Sequence, residues 1–154
     1  MTSTGKIGAG VVFQVSLALS PAVWTSVGNA KSIAFNGRTA DDIDFTNLNS
    51  TGSYREMRQG FKDGGTVAVD IQFDPTDTTH VGSSKGLLGL FNSGTVFYWR
   101  INFFATGWSW ALRGQGYVQS PGDIDINVDG PIMGTANIRV TGQTTLVAAA
   151  SLTT

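Results

Sequence analysis

The run Asp125-x-Asn127-x-Asp129-Gly130 has the spacing of an oxygen-ligand metal loop. Calcium loops place carboxylate and amide oxygens at alternate positions, bend at a glycine and close with a bidentate glutamate. The closing position here is Ala136, which has no ligand to offer. Ile124, Ile126 and Val128 alternate with the acids, so the run reads as a strand or edge whose carboxylates face solvent. Asp41, Asp42 and Asp44 could gather a cation, but Arg38 nearby supplies a simpler partner. A glycosidase needs two carboxylates at a set separation, and no histidine-bearing or glycine-rich context singles out a pair.

Other chemistries fare no better. His80 is the only histidine, and its place at the start of a predicted helix implies a solvated or capping role. Gly82-Ser83-Ser84-Lys85 lacks the Gly-Lys-Ser/Thr ending of a phosphate loop. Phe97, Tyr98, Trp99, Trp108 and Trp110 could form a sugar-stacking face, but period-two placement favours core or subunit contacts. With no cysteine there is no disulfide, thiolate metal site or thiol nucleophile. We expect no enzyme, no cofactor and no bound metal.

Composition points toward assembly. Of 154 residues, 14% are charged, well below the usual ~25%. Such a chain either has a Ser/Thr/Asn surface or buries much of its surface against partners. The net charge of -1 gives no electrostatic reason to grip nucleic acid or an anionic membrane. Glu56 is the only glutamate, and 20 glycines with many Thr, Val and aromatic residues favour strands over helices. No apolar run is long enough to span a membrane and no signal-peptide pattern opens the chain. The expectation is a soluble protein made in the cytoplasm, with no membrane partner.

Elements follow from periodicity. Residues 11–19 alternate Val11, Phe13, Val15, Leu17 and Leu19, with Ser20-Pro21 as the stop. Residues 31–35 form a strand with Ile33 and Phe35 in phase, and Asn36-Gly37 is a turn or bulge within it. Residues 38–65 hold nine of the 21 formal charges and read as a long exposed excursion with strand-like ends at 42–46 and 54–57. Residues 66–73 are the clearest strand, with Val67, Val69, Ile71 and Phe73 inward and Ala68, Asp70 and Gln72 outward. One helix is predicted over 78–92, with Val81, Ser84, Leu87, Leu88 and Phe91 on its packing face. Strands follow at 96–104 and 108–119, the latter with Trp108, Trp110, Leu112 and Val118 in phase. Pro121-Gly122 turns the chain into a last strand at 133–141, with Ala136, Ile138 and Val140 inward. Mobile or partner-docked termini are expected at about 1–8 and 143–154.

The predicted fold is mainly β: a single domain over 1–154, a sandwich or barrel of about six to eight strands with one flanking helix and a long hairpin loop.

The order of these motifs carries a resemblance. A polar-acidic strand leads into Tyr54-Arg-Glu-x-x-x-Gly60-x-Lys62-Asp63-Gly-Gly65 and then the strand ending Asp74-Pro75. A helix ending Leu87-Leu88-x-Leu90-Phe91-Asn-Ser-Gly94-Thr95, an aromatic strand and a glycine-containing strand come next. Pro121-Gly-Asp123 and a closing Val140-Thr141-Gly142 complete the order, which resembles the lambda-like major tail tube proteins of long, non-contractile-tailed bacteriophages.

That resemblance implies a structural virion protein whose hexameric rings stack into a tube. The tube would surround the tape measure protein, meet the tail terminator and distal tail proteins, and pass double-stranded DNA transiently and without sequence specificity. It implies an inter-ring loop containing Asp42, Asp44, Asn47, Asn49, Tyr54, Arg55, Glu56, Arg58, Lys62 and Asp63. Strand alternation places Ser32, Asp70, Gln72, Asn137 and Arg139 on the outward face, which becomes the lumen lining in such a ring. Val81, Leu87, Leu88 and Phe91 pack the flanking helix. The competing expectations are a carbohydrate- or cell-surface-binding β-sandwich, or another tail part of the same fold such as a terminator or distal tail protein.

Overall fold

A computed structural model describes residues 8–20 and 22–148. The described residues run through nine strands: β1 (Val12–Ser16), β2 (Thr25–Ser26), β3 (Ala30–Asn36), β4 (Thr39–Asp44), β5 (Met57–Asp63), β6 (Thr66–Gln72), β7 (Phe97–Asn102), β8 (Trp110–Asp125) and β9 (Met133–Ala148). Two short helices, α1 (Thr78–Val81) and α2 (Leu87–Ser93), lie between β6 and β7. Seven strands form one antiparallel sheet in the order β2-β1-β7-β8-β9-β6-β3, and β4 with β5 form a separate hairpin. The fold is sandwich-like and not a closed barrel, because β2 and β3 are edges among the described residues.

Alternation in β6 and β9 supplies six of the fifteen residues of the core cluster. Val67, Val69 and Ile71 are buried on β6, and Ala136, Ile138 and Val140 on β9. These join Phe13, Val15, Phe97, Trp99, Ile101 and Val118, with Leu87 and Leu90 of α2, in one cluster. Trp99 stacks on Phe13 at 6.3 Å and meets Phe35 at 5.5 Å.

Several sequence expectations need correction. The first strand stops at Ser16, whose hydroxyl turns inward to the Ala18 carbonyl at 2.6 Å, so Leu17 and Leu19 are exposed. Pro21 lies outside the described residues. Asn36-Gly37 ends β3 rather than interrupting it. Phe73 falls beyond β6 and is only half-buried, stacked on His80 at 6.1 Å. Pro121-Gly122 does not turn the chain: β8 continues through it to Asp125 with register shifts between Val118 and Asp123. β7 stops opposite Gly116, so no ladder bond is lost to proline on that side. Trp108 and Trp110 are exposed, and Ala111 is buried instead. Residues 143–148, expected as tail, belong to β9, where Thr145 to Ala148 pair with Arg113 to Trp110. The remaining predicted termini, 1–7 and 149–154, lie outside the described residues.

The single predicted helix is two. Gly82 adopts extended geometry (φ -58°, ψ 141°) and ends α1. A Cβ on Gly89 would lie 2.2 Å from the Gly82 carbonyl oxygen, so glycines here let backbone approach backbone. Because 84–86 are not helical, the phase is lost: Leu87 and Leu90 face the core, whereas Leu88 and Phe91 are 40% and 42% exposed. Val81 is half-buried.

Candidate assembly surfaces

The β4–β5 hairpin stands apart from the main sheet. Its strands are longer and lie nearer the base than expected, with Asp42 opposite Gln59 and Asp44 opposite Met57. Asp42 and Asp44 lie on β4, Arg58, Lys62 and Asp63 on β5, and Asn47, Asn49, Tyr54, Arg55 and Glu56 in the connection. That connection has internal order. Thr46 N–H donates to Asp44 Oδ1 at 2.8 Å, Asn49 N–H to Asn47 Oδ1 at 2.8 Å, and Glu56 N–H to Thr46 Oγ1 at 2.9 Å. The Arg58 guanidinium covers the Phe45 ring at 4.8 Å. Charge drew attention to this segment, but its apolar side chains are equally telling: Leu48, Phe61 and Tyr54 are 106%, 88% and 79% exposed. Their signal was in the sequence, as large apolar residues spaced among charges.

The outward face of β3, β6 and β9 brings the alternation-derived set together. Ser32 pairs with Asp70, Asp70 with Thr135, Ala68 with Asn137, Thr66 with Arg139 and Gln72 with Met133. Ser32 and Thr135 hydroxyls each donate to one Asp70 carboxylate oxygen at 2.6 Å, making a row across three strands. Those two hydrogen bonds, Ser32 first, hold the Asp70 carboxyl below its ordinary value. Arg139 bonds Asp63 at 2.5 Å, tying this face to the hairpin base. The Gly65 N–H and then Arg139 lower the Asp63 carboxyl. Sequence reading missed Asp123 on this face, opposite Thr135 on β8. The signal was hidden because Pro121-Gly122 looked like a turn.

Both ends of this four-stranded section are open. β3 is bonded to β6 alone, and β8 beyond Gly116 is bonded to β9 alone among the described residues. A sequence model of the lambda-like phage tail tube family matches residues 10–113. The chain belongs to the lambda-like phage tail tube protein family. No curated protein matches it.

Solved structures share the tail tube fold at low identity. The tail of an empty gene transfer agent particle, computed with C6 symmetry, has 16% identity, 94% of this chain and 100% of that one covered, and a TM-score of 0.71. The SPP1 tail tube has 13% identity, 94% and 80% coverage, and a TM-score of 0.63. A sheath/tube terminator of an extracellular contractile injection system has 9% identity, 96% and 100% coverage, and a TM-score of 0.64. As a tail tube family member this is a structural virion protein, not an enzyme, and its place is the tail.

Residues that looked chemical have structural positions in the tail tube fold. His80 is 2% exposed rather than solvated: Nδ1 accepts the Asp74 N–H at 3.1 Å, and Nε2 donates to the Gly28 carbonyl at 2.7 Å. Asp77 caps α1 through the Thr79 N–H at 2.8 Å. Trp99 and Phe97 are buried while Trp108 and Trp110 are exposed, so the aromatics form no common platform. Asp125 ends β8, and Asn127 and Asp129 follow in the β8–β9 connection. Arg100 is buried on the outward side of β7, bonded to Gln14 and stacked on Trp24 at 4.5 Å.

Proposed function

We propose that this chain acts as one tail-tube unit whose copies close into hexameric rings and stack into a non-contractile tube. The tube surrounds the tape measure protein before ejection and conducts double-stranded DNA during it. The observation that carries this reading is the pair of open edges, β3 and the distal half of β8, at opposite ends of one polar-faced section. β3 and β8 run antiparallel to each other, so the edge of one copy can extend the sheet of the next. Such a contact is heterologous, and it closes into a ring when the rotation per subunit permits.

In that ring the outward face lines the lumen through Ser32, Asp70, Gln72, Asn137 and Arg139. Arg139 is paired with Asp63, whereas Asp70 is met only by the Ser32 and Thr135 hydroxyls, so the lining is acidic. An acidic wall offers phosphates no counterion-releasing contact and lets DNA slide. The β4–β5 hairpin, from Asp42 to Asp63, reaches the adjacent ring, and the tube ends meet terminator and distal tail proteins.

Electron microscopy of the purified protein tests the assembly. Sixfold tubes are expected; isolated rings would assign the chain to a terminator-type part, and persistent monomers would overturn the reading. In assembled tails, Asp70→Lys should slow DNA ejection at low salt, with recovery as salt rises. Unchanged kinetics would remove Asp70 from the lumen.

A further inference from the structure

We propose that the tip of the β8–β9 hairpin seats in the apolar groove beneath β3 of the next copy of this chain, keyed by Lys31 against the tip's aspartates. The inference rests on the ring reading above and deepens it. At the tip, Ile124, Ile126 and Val128 are 48%, 74% and 101% exposed. Its charges are all negative: Asp123, Asp125 and Asp129, with no Lys or Arg in residues 121–132. Exposed branched aliphatics alternating with carboxylates mark a contact surface better than a solvent loop.

The groove has a volume of 590 Å³ and opens between β3 and the end of β7. Its walls are Val11, Ile33, Phe35, Ile101, Phe103 and Leu112, and Lys31 stands at the rim. Lys31 is exposed and has no ion-pair partner among the described residues. The rim is therefore cationic where the tip is anionic.

Strand register brings the two together. Ala30 lies opposite Ile71, Ile71 opposite Gly134, and Gly134 opposite Ile124, so the groove and the tip share one end of the section. Ile124 faces the same side as Gly134, Ala136 and Ile138, which is the core side. A neighbour that extends the sheet past β8 brings its own Ile33 side against Ile124 and Ile126. Its Lys31, the extra residue at the register shift between Ala30 and Ser32 and so outside the strict alternation of faces, then stands at the level of Asp123 and Asp125.

Three variants of the full chain test this. Ile126→Asp should keep the wild-type circular dichroism and lose rings and tubes together. Lys31→Glu should also lose them, and Lys31→Glu with Asp123→Lys and Asp125→Lys should restore them. If Ile126→Asp fails to fold, the charge series at exposed positions decides alone. Normal assembly by Ile126→Asp or Lys31→Glu, or failure of the charge swap to restore assembly, overturns the docking and leaves the ring reading standing. A tube reconstruction with the groove filled by the same subunit's own ends also overturns it. A wild-type chain that forms no rings overturns the ring reading instead.

Discussion

The rings of Phe35 and Trp99 lie 5.5 Å apart, although three strands separate β3 from β7 in the sheet. A flat sheet would hold such strands roughly 19 Å apart at about 4.8 Å per step. The contact therefore requires the sheet to fold over on itself. That folding creates an inner face for the core and an outward face on the β3-β6-β9-β8 section, and it leaves both edges of that section open.

Trp99 is the side chain on which this folding turns. It is fully buried, and its Nε1 has no hydrogen-bond partner among the described residues. Trp99→Ala should cost about 3–5 kcal/mol in urea unfolding. Trp99→Phe should cost less than half of that, because it keeps most of the ring contact and removes the orphaned N–H. Gly114 lies directly beneath the ring: a Cβ there would be 2.8 Å from Trp99 Cζ2. Gly114→Ala should therefore destabilise by about 1–3 kcal/mol through overpacking.

Ile71 and Phe73 separate the core from its margin. Ile71 is 1% exposed, whereas Phe73 lies past the end of β6. Ile71→Ala should cost about 2–5 kcal/mol, and Phe73→Ala clearly less. Equal losses would place Phe73 back in the core.

Strand phase was readable wherever one face is apolar without interruption, as from Val67 to Ile71 and from Ala136 to Val140. It failed where backbone contacts override side-chain pattern. Glycines at 82, 86 and 89 pack main chain on main chain, which a hydrophobic period cannot register. Pro121-Gly122 has turn chemistry yet sits in a strand, because a strand with a neighbour on one side tolerates proline and a bulge. His80 looked solvated because its partners, the Gly28 carbonyl and the Asp74 N–H, are backbone groups invisible to residue type. The assembly surfaces were half legible: charge marked the β4–β5 hairpin, while open strand edges emerge only from pairing.

His80→Ala should destabilise by about 1–3 kcal/mol, since it leaves the half-buried Gly28 carbonyl and Asp74 N–H without their partner. A thermal or urea midpoint unchanged from wild type would show that water replaces the imidazole.

Acid should weaken the fold through its aspartates. Asp70 and Asp77 both have carboxyls below the ordinary 3.8, chiefly through hydroxyl hydrogen bonds from Ser32 and Thr79 respectively. A carboxyl lowered in the folded state contributes stability above its unfolded value, and loses it as pH falls through the folded value. Stability should hold from neutrality to about pH 4 and decline below it. Asp70→Asn with Asp77→Asn should flatten that decline in urea titrations across the acid range.

The hairpin connection offers the sharpest division between ring closure and stacking. Residues 47–49 and 51–53 are exposed, Ser50 is half-buried, and none contributes to the core cluster. Deleting residues 47–53 leaves Thr46, Tyr54 and Arg55 between Phe45 and Glu56, whose backbones are already bonded at 2.7 Å. A connection of that length is ordinary for a β-hairpin, so β4 and β5 keep their pairing and the main sheet is untouched. Circular dichroism and the unfolding midpoint should match wild type. The open edges of β3 and β8 also survive, so ring closure should persist. Stacking should not, because the segment meant to reach the next ring is gone. Electron microscopy should therefore show single sixfold rings in place of tubes, whereas Ile126→Asp should show neither. Tubes of normal length from the deletion would move the inter-ring contact off this loop and onto another surface of the ring.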